Sequence, residues 1–257
     1  MSERKKVSML GVNVTGMPVK DAVEETLRLM TEPRVGKRYF LTAESSLLCQ
    51  SDDRTVDFLN HCDLVLPGDS HTEKAFDDLP DIRGKDPDKE TPEANQDQVI
   101  SEDYAQQYMR SILPRMNEEE LSIYVIMDSE TGLLSLQEYI LTNYPSINLE
   151  GILIGKDSEE EYGRVVNDVN KCVPDIVFVC VSAEQQIRFV REFASMMNTG
   201  LCICIESMQP WIYREVAEVP GFFRLLHLES LYYWIRRENK LGNLIAGSAF
   251  RKRMRGE

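Results

Sequence analysis

The chain has 257 residues, 42% of them hydrophobic and 28% charged, which is ordinary for a globular protein and long enough to bury a sizeable core. A net charge of −14 opposes approach to nucleic-acid phosphates and excludes non-specific nucleic-acid binding. No apolar run nears the roughly 20 residues that span a bilayer, and the charged start MSERKKVSMLG lacks the apolar core of a secretion signal, so a cytoplasmic protein is expected.

In chain order, short apolar runs rich in Val and Ile alternate with longer amphipathic segments. A strand is predicted over 7–14, then a helix over 18–31 that starts at Pro18 and places Val19, Ala22, Val23, Thr26, Leu27 and Met30 on one face. Strands follow at 38–42 and 63–66. Residues 73–103 then break the rhythm with eleven acidic residues, four basic residues and three prolines, and read as an acidic surface insertion. Beyond it come a strand at 121–127, a helix at 131–144, a strand at 147–154 and a helix at 157–171 that Asp157 or Ser158 can cap. A strand at 175–181, a helix at 183–198 and a strand at 201–205 complete the alternation. Several strands lack polar alternation, as parallel strands covered on both faces do. The predicted fold class is α/β: a mostly parallel, Rossmann-like sheet flanked by helices over residues 1–223.

Residues 224–257 carry eight Lys/Arg and three Asp/Glu, a local +5 that leaves −19 for the remainder. They read as a basic helical C-terminal appendage, with Leu225, Leu228, Leu231, Tyr232 and Ile235 in a helical stripe and RKRMR at 251–255. The stripe suits either packing on the domain or an anionic membrane surface, and the terminal basic cluster suits a membrane or a partner.

Six cysteines are scattered without a zinc-type spacing. Cys202 and Cys204 are read as alternating to opposite faces of their strand, and the set as buried, reduced thiols. Three histidines, His61, His71 and His227, make a multi-histidine metal site an unpromising reading, so no metal ligands are assigned.

Neither a G-x-G-x-x-G turn, a G-x-x-x-x-G-K-[ST] loop nor a G-x-S-x-G elbow is present, which removes the main sequence support for nicotinamide, P-loop and α/β-hydrolase chemistry. In an open parallel sheet, ligands bind beyond the carboxyl ends of the strands. Five predicted strand ends carry polar residues: Ala43-Glu44-Ser45-Ser46, Asp69-Ser70-His71, Asp128-Ser129-Glu130-Thr131, Ser182 with Glu184, Gln185 and Gln186, and Glu206-Ser207. Each residue is either a crevice-lining group or a cap or turn, with Ser182 and Asp128 the plausible helix caps. The run DLVLPGDSH at 63–71 poses the choice most sharply, since a carboxylate, a hydroxyl and an imidazole follow directly on a strand.

The order of these segments resembles the WecG/TagA/CpsF family of glycosyltransferases over about residues 8–237. LGVNVTGMPVKDAVEETLRLM resembles that family's first strand and helix, FLTAESSLL its strand ending in T-x-N, and HCDLVLPGDS its ADLVLPDG segment. PDIVFVCVSAEQQIRF resembles its PDLLLVGLGAPKQEKW segment and LLHLESLYYWIRR its LGLEWLYRLLQEP segment.

The resemblance implies transfer of an N-acetylmannosamine-type sugar from a UDP donor to a polyprenyl-linked acceptor, with no cofactor beyond the donor substrate. It implies a base at Asp69 (Gly68 in strict register), pocket residues at Thr42 and Glu44, and a donor contact at Gln186. Arg224, Arg236 and Arg237 are candidates for the diphosphate. Peripheral membrane contact through the basic C-terminus, at the inner face of the membrane, and assembly into an oligomer are compatible with it. The chain departs from the family pattern in several places. Glu44 replaces an asparagine, the aspartate of PDG moves one residue along to Asp69, and glycines near the later strand ends are replaced. The alternative reading is therefore a catalytically degenerate member acting as a binding or regulatory module.

Overall fold

The computed structural model describes residues 5–31, 38–43, 45–76, 104–155, 158–205 and 248–255. The chain opens on an antiparallel hairpin, β1 (Lys5–Met9) with β2 (Val12–Gly16), where the sequence predicts one strand. The two turn residues, Leu10 and Gly11, have φ of 50° and 88°. Both lie in the left-handed region that a two-residue hairpin loop requires. A leucine rarely sits there, so the apolar run through Leu10 reads as unbroken strand. Asn60 clamps the turn: its Oδ1 accepts from Asn13 N at 2.8 Å and its Nδ2 donates to Gly11 O at 2.9 Å.

The remaining strands are β3 (Arg38–Ala43), β4 (Leu64–Pro67), β5 (Ser122–Met127), β6 (Asn148–Leu153), β7 (Ile176–Cys180) and β8 (Leu201–Cys204). They form one six-stranded sheet in the order β4-β3-β8-β7-β5-β6. Every pairing in it is parallel, as predicted. The helices are α1 (Val19–Thr31), α2 (Ser45–Gln50), α3 (Asp53–His61), α4 (Ser70–Lys74), α5 (Tyr104–Glu118), α6 (Glu130–Asn143), α7 (Glu159–Cys172) and α8 (Ala183–Glu192).

Each strand divides its side chains between two cores by the two-residue period of the pleat. Ile123, Val125 and Met127 of β5 face a core filled by α1, α5 and α6. Tyr124 and Ile126 face the other, filled by α2, α3, α7 and α8. Three layers result. Gly151 of β6 makes room for α6: an added Cβ would lie 2.6 Å from Leu133 Cδ1 and 3.0 Å from Val125 O.

Cys202 and Cys204 share the core of Tyr124 and Ile126, which corrects the opposite-face reading. Residues two apart in a strand point the same way. All six cysteines are free, three of them buried, and burial holds the Cys180 and Cys204 thiols well above their ordinary pKa. Among the described residues, no group of three His, Cys, Asp or Glu side chains is placed to hold a metal ion.

α5 was not predicted. Tyr104, Tyr108, Ile112 and Met116 give it a buried face at helical spacing, but Pro114 lies inside it and the acidic segment precedes it. The folded body also extends further into that segment than expected. α4 reaches Lys74 and Phe76 is 4% exposed in the core, so only residues 77–103 of the predicted insertion lie outside the described residues. The boundary drawn at residue 223 and the stripe from Leu225 to Ile235 also lie outside them. Residues 248–254 are helical, and Phe250 is buried in the α2/α3/α7/α8 core.

Candidate functional site

Parallel pairing brings all six carboxyl ends to one edge of the sheet. Adjacent strands there are about 4.8 Å apart, so β4 and β5, four steps from each other, bracket roughly 20 Å of that edge.

At the β4 end, Asp69 is the N-cap of α4, with φ −145° and ψ 170°. Its Oδ1 accepts from His71 N at 3.1 Å and Thr72 N at 2.9 Å, and the Thr72 hydroxyl lies 3.0 Å away. Thr72 is fully buried, and its Oγ1 accepts from the backbone N–H groups of Gly68 and Asp69, both at 3.2 Å. The Pro67-Gly68-Asp69 turn is thus wrapped around one hydroxyl, and the shifted aspartate is held as a cap. Ser70 and His71 form the first turn of α4 and join no triad.

Thr42 belongs to the neighbouring strand. Its backbone in β3 is in register with Leu66 of β4, and Gly68 N donates to Ala43 O at 3.1 Å, so Thr42 and Asp69 end adjacent strands. Glu44, Arg224, Arg236 and Arg237 lie outside the described residues.

At the other end, β5 and β7 are neighbours, yet the chain leaves β5 for β6 on one side and β7 for β8 on the other. That is a topological switch point, where a crevice opens between diverging connections. Asp128 follows β5 and Ser182 follows β7, with Met127 and Cys180 in register just before them. Neither residue caps a helix as predicted. Ser129 caps α6 instead, accepting from Gly132 N at 3.1 Å, and Ser182 stands at the N-cap of α8 without a side-chain capping bond. The backbone N–H groups of Asp128 itself and of Ser182 lie on the side of the Asp128 carboxyl where they lower its pKa. The residue keeps exposed surface, but protein packed around the carboxyl raises its pKa, and those two N–H groups offset part of that rise.

Gln186 lies one turn into α8 and is 1% exposed. Its Nε2 donates to Val179 O at 2.9 Å, the carbonyl that also accepts from Ile205 N, so it pins α8 to the ends of β7 and β8. Its Oε1 has no hydrogen-bond partner among the described residues. A buried acceptor left unmade costs about 1–3 kcal/mol. Of the predicted site residues, the structure thus sets Asp69 and Thr42 side by side and Gln186 two strands beyond Thr42.

Sequence reasoning missed a basic group near Asp69. Arg253 Nη1 donates to Cys49 O at 2.5 Å, at the end of α2. Burial raises the Cys49 thiol pKa; Arg253 lowers it and Asp69 adds to the rise, so both charges stand within range of one thiol. Part of the terminal basic cluster is therefore docked on its own chain.

The family model described as "Glycosyl transferase WecG/TagA/CpsF family" matches residues 103–246, more than half of the chain. That span contains β5 to β8, Asp128 and Gln186, and begins after Thr42 and Asp69. A search of curated proteins finds no match.

Proposed function

Because the chain belongs to the WecG/TagA/CpsF family of glycosyl transferases, we propose that it moves an N-acetylmannosamine-type sugar from a UDP donor to a polyprenyl-linked acceptor in cell-surface polymer synthesis. The observation that carries this reading is the common edge of the sheet, where Thr42 near the end of β3, Asp69 after β4 and the β7–α8 turn leading to Gln186 belong to strands pointing the same way. In the reaction, an acceptor hydroxyl oxygen forms a bond to the anomeric carbon. The bond from that carbon to the diphosphate oxygen breaks, and UDP departs with the electron pair. Asp69 takes the hydroxyl proton. Thr42, Glu44 and Gln186 contact the donor, and Arg224, Arg236 and Arg237 neutralise the leaving diphosphate. No helix among the described residues is long and apolar enough to cross a membrane. Access to a lipid-linked acceptor is then peripheral, through the basic C-terminus.

A second reading, a binding or regulatory module without turnover, is favoured by one observation. Asp69 Oδ1 already lies within hydrogen-bond distance of His71 N, Thr72 N and the Thr72 hydroxyl, so this oxygen is engaged as the cap of α4. Calorimetric titration with UDP-N-acetylhexosamines, paired with turnover of Asp69→Ala on a lipid-linked acceptor, separates the two. Donor binding with turnover that the substitution abolishes supports the transferase. Donor binding without turnover supports the module, and no donor heat at millimolar ligand removes both roles for a UDP-sugar.

A further inference from the structure

Of the two outermost strands of the sheet, only β6 presents a long bare edge among the described residues. β4 has four residues, ends in Pro67 and has β2 packed beside it, whereas β6 has six residues and no strand beyond it. Such an edge is a template for another strand unless it is shielded. Asn148 N donates to Leu121 O and Ile154 N to Met127 O, so the even-numbered residues of this stretch turn their backbone groups to β5. Successive peptide groups alternate along a strand, and the backbone groups of Leu149, Gly151 and Leu153 therefore face outward. α7 fences one end of that row. Arg164 Nη2 donates to Leu153 O at 2.7 Å, and Glu161 Oε1 accepts from the next outward N–H, that of Gly155, at 2.9 Å. Arg164 and Glu161 are themselves joined by two bonds, Nε to Oε2 at 2.9 Å and Nη2 to Oε1 at 2.5 Å. Pairing of a guanidinium fork with a carboxylate fixes the arginine in place. Further along the same helix, Cys172 Sγ donates to Glu150 Oε2 at 2.8 Å, so α7 lies along β6. Leu149 and Gly151 lie outside the fence.

We propose that the β6 edge is a self-pairing surface for a second copy of this chain, and that Arg164, clamped by Glu161, keeps it shut. The outward row is its own complement. A two-fold axis at Gly151 sets Gly151 against its mate and Leu149 against the partner subunit's Leu153, all as hydrogen-bonded pairs of an antiparallel ladder. Arg164 occupies the Leu153 carbonyl that this ladder needs and puts a clamped side chain in the path of the incoming strand. The same axis sets α6, which packs on β6, beside its mate. α6 leaves Leu134 and Leu141 59% and 76% exposed, two turns apart on one face, which gives a second copy apolar surface to cover. The net charge of −14 opposes two copies at long range, so the pairing depends on the contacts at the edge itself.

The test is sedimentation velocity of the full chain and of its Glu161→Ala/Arg164→Ala double variant over a range of protein concentrations. The double variant loses one charge of each sign, so the net charge stays at −14. Ser158 keeps its capping role, because the bond it accepts comes from the backbone N–H of residue 161. Self-association is expected to tighten about tenfold or more in the variant. Amide hydrogen exchange then locates the contact. The Gly151 amide is expected to exchange freely in the unsubstituted chain at every concentration, and to become protected with rising concentration in the variant. A variant that associates no more tightly than the unsubstituted chain, or whose association leaves the Gly151 amide unprotected, overturns the proposal. So does concentration-dependent protection of Gly151 in the unsubstituted chain, a reading that needs no variant to fold.

Discussion

Asp69 Oδ1 lies 2.9 Å from the backbone N and 3.0 Å from the hydroxyl of Thr72, so the candidate base is also the cap that starts α4. The two roles separate by substitution. Asp69→Ala removes the cap and is expected to cost about 1 kcal/mol, whereas Asp69→Asn, an equally good cap, stays within a few tenths of a kcal/mol. Thr72→Val strips the hydroxyl from the Gly68 and Asp69 N–H groups and costs about 1–3 kcal/mol. Urea unfolding of the three variants measures this order; an Asn variant as unstable as the Ala variant contradicts the capping assignment.

Asp128 gives the stability a pH dependence of known sign. Burial raises its pKa above the ordinary 3.8, so the folded chain binds that proton more tightly than the unfolded chain does. The stabilisation from this group is full below 3.8 and is lost as pH rises through the raised value. Asp128→Asn, which does not titrate, is therefore expected to gain stability relative to the unsubstituted protein between about pH 3 and about pH 7. Thermal unfolding across that range checks it, and a gap that narrows as pH rises contradicts the sign.

Gly151 leaves room on β6 for Leu133 of α6. Gly151→Ala places a methyl 3.0 Å from Val125 O, a backbone atom that cannot swing aside as the Leu133 side chain can. The expected cost is about 1–3 kcal/mol, read from the urea midpoint with an unchanged slope. A neutral substitution would place α6 further from β6 than the structure does.

The docked C-terminal segment predicts a change in thiol chemistry. Deleting 248–257 removes Phe250, 2% exposed, at an expected cost of about 1.5–3 kcal/mol, and takes Arg253 from the Cys49 carbonyl. Arg253→Ala alone, which leaves Phe250 in place, takes away the charge that lowers the Cys49 thiol pKa, so Cys49 is then labelled more slowly by a thiol reagent, as peptide mapping reads directly. Labelling at the unsubstituted rate contradicts docking of this segment.

The parallel sheet was legible because continuous Val/Ile runs such as Ile176–Cys180 have no other comfortable home than between two helical layers. The hairpin was not, since Leu10 in the left-handed region carries no sequence mark. At the site, the sequence placed polar groups at the right strand ends but could not assign their partners. Asp128 and Ser129 are adjacent and equally able to cap α6; only the folded backbone decides that Ser129 does so. Gln186 had a readable signal, four residues before Val190 on the buried face of α8, and so points into the protein rather than out to solvent. The capping role of Asp69 was readable too, in an aspartate three residues before a threonine at the head of a helix.

The most direct test of glycosyl transfer with Asp69 as base is incorporation of labelled N-acetylmannosamine from its UDP donor into a polyprenyl-linked acceptor, by the full chain and by Asp69→Asn. The asparagine keeps the cap and removes the base. The predicted result is product from the unsubstituted chain and a rate about 100-fold or more lower in the variant, with its fold intact. Equal rates in the two proteins, or no product from the unsubstituted chain under conditions where the donor binds, contradict it.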